Sequence, residues 1–243
     1  MLSPETQAQI ARLADEQDRY RPEPSVTEHI SDKDIVMVVG VSGAGKNTVM
    51  QAASELDPRF RVAGNLTNRS PRPDDDPAVY RYYPHTDAGV HQLMERIHRS
   101  ELVQYAVNDH SGQIYGSDAN CYQAEFNLKD VFSSAVEDFR RIGFRQARAI
   151  TLVTRAAIWQ PWFDTRFPLG HKDRPARQAH AVESLTWSLG QPEDSHYWVE
   201  NIAGHPKAAG QAIIDIALDR SQGNPSLRAL AEACLLAAEE MPL

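Results

Sequence analysis

The run Gly40-Val41-Ser42-Gly43-Ala44-Gly45-Lys46-Asn47-Thr48 has the residue types needed to hold a polyphosphate. Glycines let a backbone turn tightly enough for its N–H groups to point inward at an anion. A helix that starts at such a turn adds unpaired N–H groups and a partial positive charge. Lys46 is spaced to reach the β- and γ-phosphates of a nucleotide. The strict phosphate-loop pattern places Ser or Thr directly after the lysine. Asn47 stands there instead, and Thr48, one residue later, supplies the hydroxyl for the phosphates or for Mg²⁺. A Gly-rich turn that binds nothing is the alternative. The spacing, the lysine and the flanking segments together favour binding of a nucleoside triphosphate such as ATP.

A second cluster follows, Asn65-Leu66-Thr67-Asn68-Arg69-Ser70-Pro71-Arg72-Pro73, leading to Tyr80. Two arginines three apart in a proline-stiffened loop, with a tyrosine nearby, can grip a phosphate by charge-assisted forks and a hydroxyl. Standing alone, arginines on a loop are more often simply solvated. The run Asp74-Asp75-Asp76 lacks the spaced ligands of a calcium loop and reads as a solvated turn.

The elements that must position these residues are legible in outline. Ile10 and Leu13 mark a helix within residues 1–20, opened by Ser3-Pro4, and residues 21–34 read as a connector. The β-branched run IVMVVG over 35–40 predicts a buried strand, and 46–56 a helix that stops before Asp57-Pro58. Residues 60–85 read as loop and strand, 87–98 as helix, 102–107 as strand, 108–113 as turn and 125–141 as mixed or helical. Then come a strand at 147–153, helices at 155–167 and 174–189 joined by a loop, a strand at 197–202, and helices at 208–220 and 226–240. Alternating strands and helices predict an α/β fold: a parallel sheet core of the P-loop type with helices on both faces. The two terminal helices read as covers for the sheet edge, with oligomerisation as the alternative. The aromatic pairs Tyr82/Tyr83 and Trp159/Trp162 read as core or lid packing.

Composition narrows the function classes. The 243 residues carry 25 Lys+Arg against 33 Asp+Glu, a net charge of −8, which disfavours nonspecific nucleic-acid binding. Apolar residues are 42% and charged residues 24%, the balance of an ordinary globular protein. No apolar run approaches the roughly 20 residues of a membrane span, so no membrane partner is expected. The N-terminus has the character of neither a secretory signal nor a transit peptide. Cys121 and Cys234 form no CxxC or Cys/His spacing, which argues against a disulfide framework or a zinc site and for a cytoplasmic location.

Three stretches in order, GVSGAGKNT (40–48), LTNRSPRPDDD…VYRYY (66–83) and SELVQYAVNDHSGQIYGSD (100–118), resemble the guanylate kinase family. The likeness continues more faintly through TRFPLGHKDRPARQAHAVESL (165–185) and YWVENIAG (197–204). It implies a kinase domain over 34–220, with an acceptor-binding insertion at about 65–118 and a small lid at about 164–178. Residues 1–33 would be a helical extension and linker, and 221–243 a C-terminal helix. It implies transfer of phosphate from ATP to GMP or dGMP, with Mg²⁺ and small nucleotides as partners; the sequence leaves monomer and homodimer both open. Arg69, Arg72, Tyr80 and Tyr115 would hold the acceptor phosphate, and Gln104 and Ser117 would read the base. Lys46, Arg166 and Arg177 would surround the transferring group, and Asn201 would lie near adenine.

The chain departs from the family at four places. Gln104 replaces the base-reading glutamate, and an amide cannot accept from both guanine donors; Asp109 and Glu101 are the candidates to compensate. Of the family's acidic pair only Asp130 is kept, with Phe132 at the second position; Asp130 would contact the acceptor or merely cap a helix. Trp162 takes the place of the first lid arginine, leaving Arg166, with Arg174 or Lys172 as substitutes. Asp74-Asp75 replaces a Gly-Glu pair. Two other readings therefore stay open. One is a kinase for ribose 1,5-bisphosphate or another acceptor. The other is a catalytically silent protein-binding module, against which Lys46, Gly43 and Gly45 speak.

Overall fold

Ser3 caps the first helix with its hydroxyl, and Pro4 occupies the first turn, where its missing N–H costs nothing. In this computed structural model, which describes residues 2–72, 75–108, 111–192 and 196–242, eighteen helices and strands follow one another. They are α1 (Pro4–Glu16), α2 (Pro24–Ile30), β1 (Asp34–Val39), α3 (Lys46–Leu56), β2 (Phe60–Val62), β3 (Asn65–Thr67), β4 (Tyr80–Tyr82), α4 (Asp87–His98), β5 (Leu102–Val107) and β6 (Ile114–Asp118). Then come β7 (Phe126–Asp130), α5 (Val136–Ile142), β8 (Gln146–Val153), α6 (Ala156–Arg166), α7 (Arg174–Leu189), β9 (Tyr197–Glu200), α8 (Pro206–Ala217) and α9 (Arg228–Glu240). Pro73, Asp74 and Asp109, singled out in the sequence, lie outside the described residues, as does part of the turn expected at 108–113.

The expected strand at 35–40 and helix at 46–56 are present as β1 and α3. The connector at 21–34 instead contains α2, which Pro24 starts at its first turn. The ambiguous stretch 125–141 resolves into a strand, β7, and the start of α5. Its residues Phe126–Lys129 are buried, so it lacks the alternation that marks a half-exposed strand.

The chain groups into two compact units. The first comprises Met1–Asp34, Ala63–Asn127 and Glu137–Gln146; the second comprises Ile35–Val62, Leu128–Val136 and Ala147–Leu243. Neither terminal segment stands alone.

The first unit is built on a four-stranded sheet in the order β4-β3-β6-β5, with β3 parallel to β4 and antiparallel to β6. Its two faces differ. Leu66, Leu102, Tyr105, Val107 and Ile114 pack against Ile10 and Leu13 of α1 and against Val90, Leu93, Met94 and Ile97 of α4. The register places Tyr82, Thr67, Tyr115 and Ala106 side by side on the other face, along with Ser117 and Gln104. Strand β5 is an edge. Tyr20 Oη donates to Leu102 O (2.8 Å) and accepts from Leu102 N (3.0 Å), while Gln17 accepts from Val107 N (3.0 Å). The N-terminal segment thus covers a sheet face with α1 and satisfies the edge with two side chains.

The second unit is a five-stranded parallel sheet in the order β2-β7-β1-β8-β9, flanked by helices, as the α/β reading expected. β1, buried throughout, is the middle strand. Helix α3 packs on α8, while α6 and α7 pack on α9. Ala231, Cys234 and Ala238 of α9 join Trp159, Phe163, Phe167, Ala181 and Leu185 in one core that also includes Val41 and Ala44. The C-terminal helix therefore packs on other helices, in a core that also takes in Val153 of β8 and Trp198 of the edge strand β9.

Candidate functional site

The second unit gathers its chemistry at the carboxyl ends of its strands, where open α/β sheets hold ligands. The loop after β1 turns at 41–44, with Val41 O accepting from Ala44 N (3.2 Å). Gly45, left-handed at φ +83°, is the residue before α3, so the helix starts inside the loop with Lys46 as its first residue. Lys46 Nζ donates to Gly40 O (2.7 Å) and Val41 O (3.1 Å) and lies 3.7 Å from Asp130 Oδ1. Val41 and Ala44 are buried anchors; Asn47 and Thr48 are exposed in the first helical turn.

Asp130 ends β7, the neighbour of β1, which is why it meets Lys46. It caps no helix: the short turn that follows has Phe132 at its cap position. Phe132 packs edge-on against His180 of α7, with centroids 5.2 Å apart. Asn201 follows β9. It is buried, and its Nδ2 donates to Ala44 O at 2.8 Å, so the amide braces the loop. A Cβ at position 45 would come within 2.6 Å of that Nδ2, so this approach requires glycine. Trp159 of α6 makes a similar contact, its indole N–H donating to Ser42 O at 2.9 Å.

Arg166 closes α6 and Arg177 lies in the first turns of α7. Their guanidinium carbons sit 5.7 and 5.9 Å from the centroid of the same ring, Phe167. The two expected catalytic arginines thus share a contact with one ring. Arg174, suggested as a substitute for the missing lid arginine, serves elsewhere. It is fully buried, bonded to Asp164 (2.8 Å), Phe167 O (2.5 Å) and Pro242 O (2.9 Å). Lys172 is exposed.

The first unit holds the other candidates. Arg69 is not a solvated loop arginine but a buried one. Its fork meets both oxygens of Asp75 at 2.7 and 2.6 Å, and its guanidinium lies over Tyr80 (4.7 Å) and Tyr82 (5.5 Å). Asp75 also accepts from Tyr82 Oη (2.5 Å) and Arg72 N (2.6 Å). Burial works against the charged carboxylate, but the bonds from Arg69, Tyr82 and Arg72 outweigh it and hold Asp75 well below the usual carboxylate range. Burial and the same carboxylate push Tyr82 up to about 12. The Arg72 side chain is exposed, and Tyr115 Oη donates to Gln113 at 3.2 Å. Of the two arginines, then, Arg72 is the one presented to solvent.

The two expected base readers are both buried. Ser117 is fully buried, with its hydroxyl 2.7 Å from Tyr122 Oη. Gln104 is buried and donates to Tyr105 O at 2.5 Å. It borders a cavity of about 110 Å³ shared with Tyr20, Thr27, Asp138 and Arg141. Glu101, one candidate to compensate for Gln104, is instead paired with Arg96 at 3.0 Å. The roles of Asp75, Tyr122 and Trp159 were not read from the sequence. Asp75 keeps the charge of a family glutamate, a usable signal; the other two depend on tertiary contacts alone.

Among the described residues no three His, Cys, Asp or Glu side chains gather as a metal site, and no helix is long and apolar enough to cross a membrane. No protein-family profile matches the chain. Among solved structures, one similar to it is guanylate kinase from Anaplasma phagocytophilum, at 11% identity over 84% of this chain and 95% of that one, with a TM-score of 0.48. A fungal RNA kinase is similar at 12% identity over 87% of this chain and 99% of that one, with a TM-score of 0.35.

Proposed function

We propose that the chain is an ATP-dependent phosphotransferase that acts on a small phosphorylated acceptor, with GMP or dGMP the first candidate. The phosphate loop carries this reading. Its turn, its left-handed glycines and the helix that opens at Lys46 form an arrangement that holds a triphosphate through backbone amides and one ammonium group. Lys46, now bonded to Gly40 O and Val41 O, would exchange those carbonyls for β- and γ-phosphate oxygens. Arg166 and Arg177 would stabilise the charge that spreads over the transferring group. Arg72, with Tyr80 and Tyr115, would hold the acceptor's phosphate, and Asp75 would keep Arg69 fixed beside them. Such a reaction is positioning plus charge neutralisation, without a covalent protein intermediate.

Mg²⁺ suits the oxygens present. Thr48 offers a hydroxyl and Asp130 a carboxylate, the hard donors this ion takes when substrate phosphates and water supply the rest. Held by these residues, Mg²⁺ would supply neutralisation of charge on the β- and γ-phosphates.

GMP rests on the resemblance of residues 66–83 and 100–118 to guanylate kinases. The burial of Gln104 and Ser117 favours a second reading, in which the acceptor has no base to read, as in ribose 1,5-bisphosphate. ADP release measured with ATP and GMP, dGMP, AMP, UMP or ribose 1,5-bisphosphate separates the two. Guanine nucleotides are expected to be the best acceptors. Turnover confined to another acceptor rejects GMP, and release with none of them rejects the transferase reading.

A further inference from the structure

We propose that Trp159 is a positioning residue for the phosphate loop, selecting the orientation of one peptide in it. The inference rests on the loop's binding a polyphosphate. Residues 41–44 form a turn closed by Ala44 N donating to Val41 O at 3.2 Å. Its third residue, Gly43, has φ +87°, while Ser42 is not among the residues of positive φ. These are the marks of a type II turn. Types I and II differ by a flip of the central peptide, here Ser42–Gly43, and glycine at the third position allows either. That peptide is planar and trans, so its C=O and N–H point in opposite directions. The indole N–H of Trp159, donating to Ser42 O at 2.9 Å, fixes the carbonyl toward α6 and so directs the Gly43 N–H away from it. Flipped, the peptide would offer an anion a carbonyl oxygen instead of a donor.

The tryptophan can impose this choice because its ring is enclosed by packing. It is fully buried, packed on Phe163 with ring centroids 5.5 Å apart, in the core that anchors Val41 and Ala44. Asn201 acts likewise on the peptide two residues on, its amide holding Ala44 O. Two alternate carbonyls of the loop are therefore held outward by side chains from α6 and from the segment after β9. The N–H groups of Gly43 and Gly45 are turned the other way.

Trp159→Phe keeps a buried ring and removes the donor; Phe163→Leu disturbs the same packing and leaves the donor in place. Binding of ATP and of inorganic tripolyphosphate is measured by calorimetry for wild type and both variants. Loss of one net hydrogen bond predicts a Kd roughly five- to tenfold higher for Trp159→Phe. The factor should be the same for tripolyphosphate, since the amide meets only phosphate. Phe163→Leu should lower the melting temperature without a comparable change in Kd. Unchanged affinity in Trp159→Phe overturns the inference alone, as does an equal loss in Phe163→Leu. Wild-type protein that binds neither ligand overturns the phosphate-loop reading beneath it.

Discussion

The candidate residues differ in how far the fold depends on them, and substitution separates a structural effect from a chemical one. Lys46 is bonded to two carbonyls of the loop and lies 3.7 Å from Asp130. Lys46→Ala is expected to reduce turnover by on the order of a hundredfold or more while leaving the urea midpoint nearly unchanged. A variant that keeps near-wild-type turnover contradicts the assignment. The arginines behave differently from each other. Arg69 and Asp75 are 3% and 9% exposed, so Arg69→Ala strands a buried carboxylate. It is expected to lose about 3 kcal/mol of stability in urea titration, which would mask any effect on binding. The informative change is Arg72→Ala, because that side chain is exposed. It should raise the acceptor KM severalfold at an unchanged melting temperature; an equal rise in the ATP KM would place Arg72 elsewhere.

At the scale of elements, the edge strand and the last helix are the tests. Tyr20 supplies both a donor and an acceptor to Leu102 on the edge of β5, and burial pushes its hydroxyl up to about 12. Tyr20→Phe leaves those two backbone groups to water or to nothing, so a loss of about 1–2 kcal/mol is expected in urea titration. Stability equal to wild type would show that the edge needs no cover. Helix α9 contributes Cys234, buried with its thiol on Thr154 O at 2.8 Å and pushed up to about 11 by desolvation. A thiol that is both buried and protonated is a poor nucleophile. A thiol reagent at pH 8 should therefore spare Cys234 in the folded protein and reach it in denaturant. Labelling of Cys234 in the folded protein would mean that α9 detaches from α6 and α7.

For the molecule as a whole, acid should be the sensitive side. Asp75 and Asp118 are both held below the ordinary carboxylate range: burial opposes their charge, but bonds to Arg69 and Tyr82, and to Arg96, prevail. A carboxylate with a lowered folded pKa contributes stability that is complete above its unfolded value and lost as pH falls through the folded one. Stability measured by urea is thus expected to hold down to about pH 4 and decline below it. A midpoint that rises on acidification through that range would mean these pairs are absent in solution.

The sequence alone determined the glycine-rich loop at 40–48, its strand and its helix. Those signals are local: a glycine spacing, a β-branched run and an amphipathic stretch, each settled within about ten residues by backbone sterics and periodicity. The α/β class followed from their alternation. What only the tertiary structure decided is which polar groups are already taken. Arg69 reads as a free cation until Asp75 is found filling its fork, Ser117 reads as a base contact until Tyr122 meets it, and Asn201 and Trp159 reveal their hold on the loop only across 157 and 117 residues of chain. A side chain's chemistry is fixed by its composition. Its availability depends on the partner that burial brings to it, and such partners come from distant segments that no local pattern specifies.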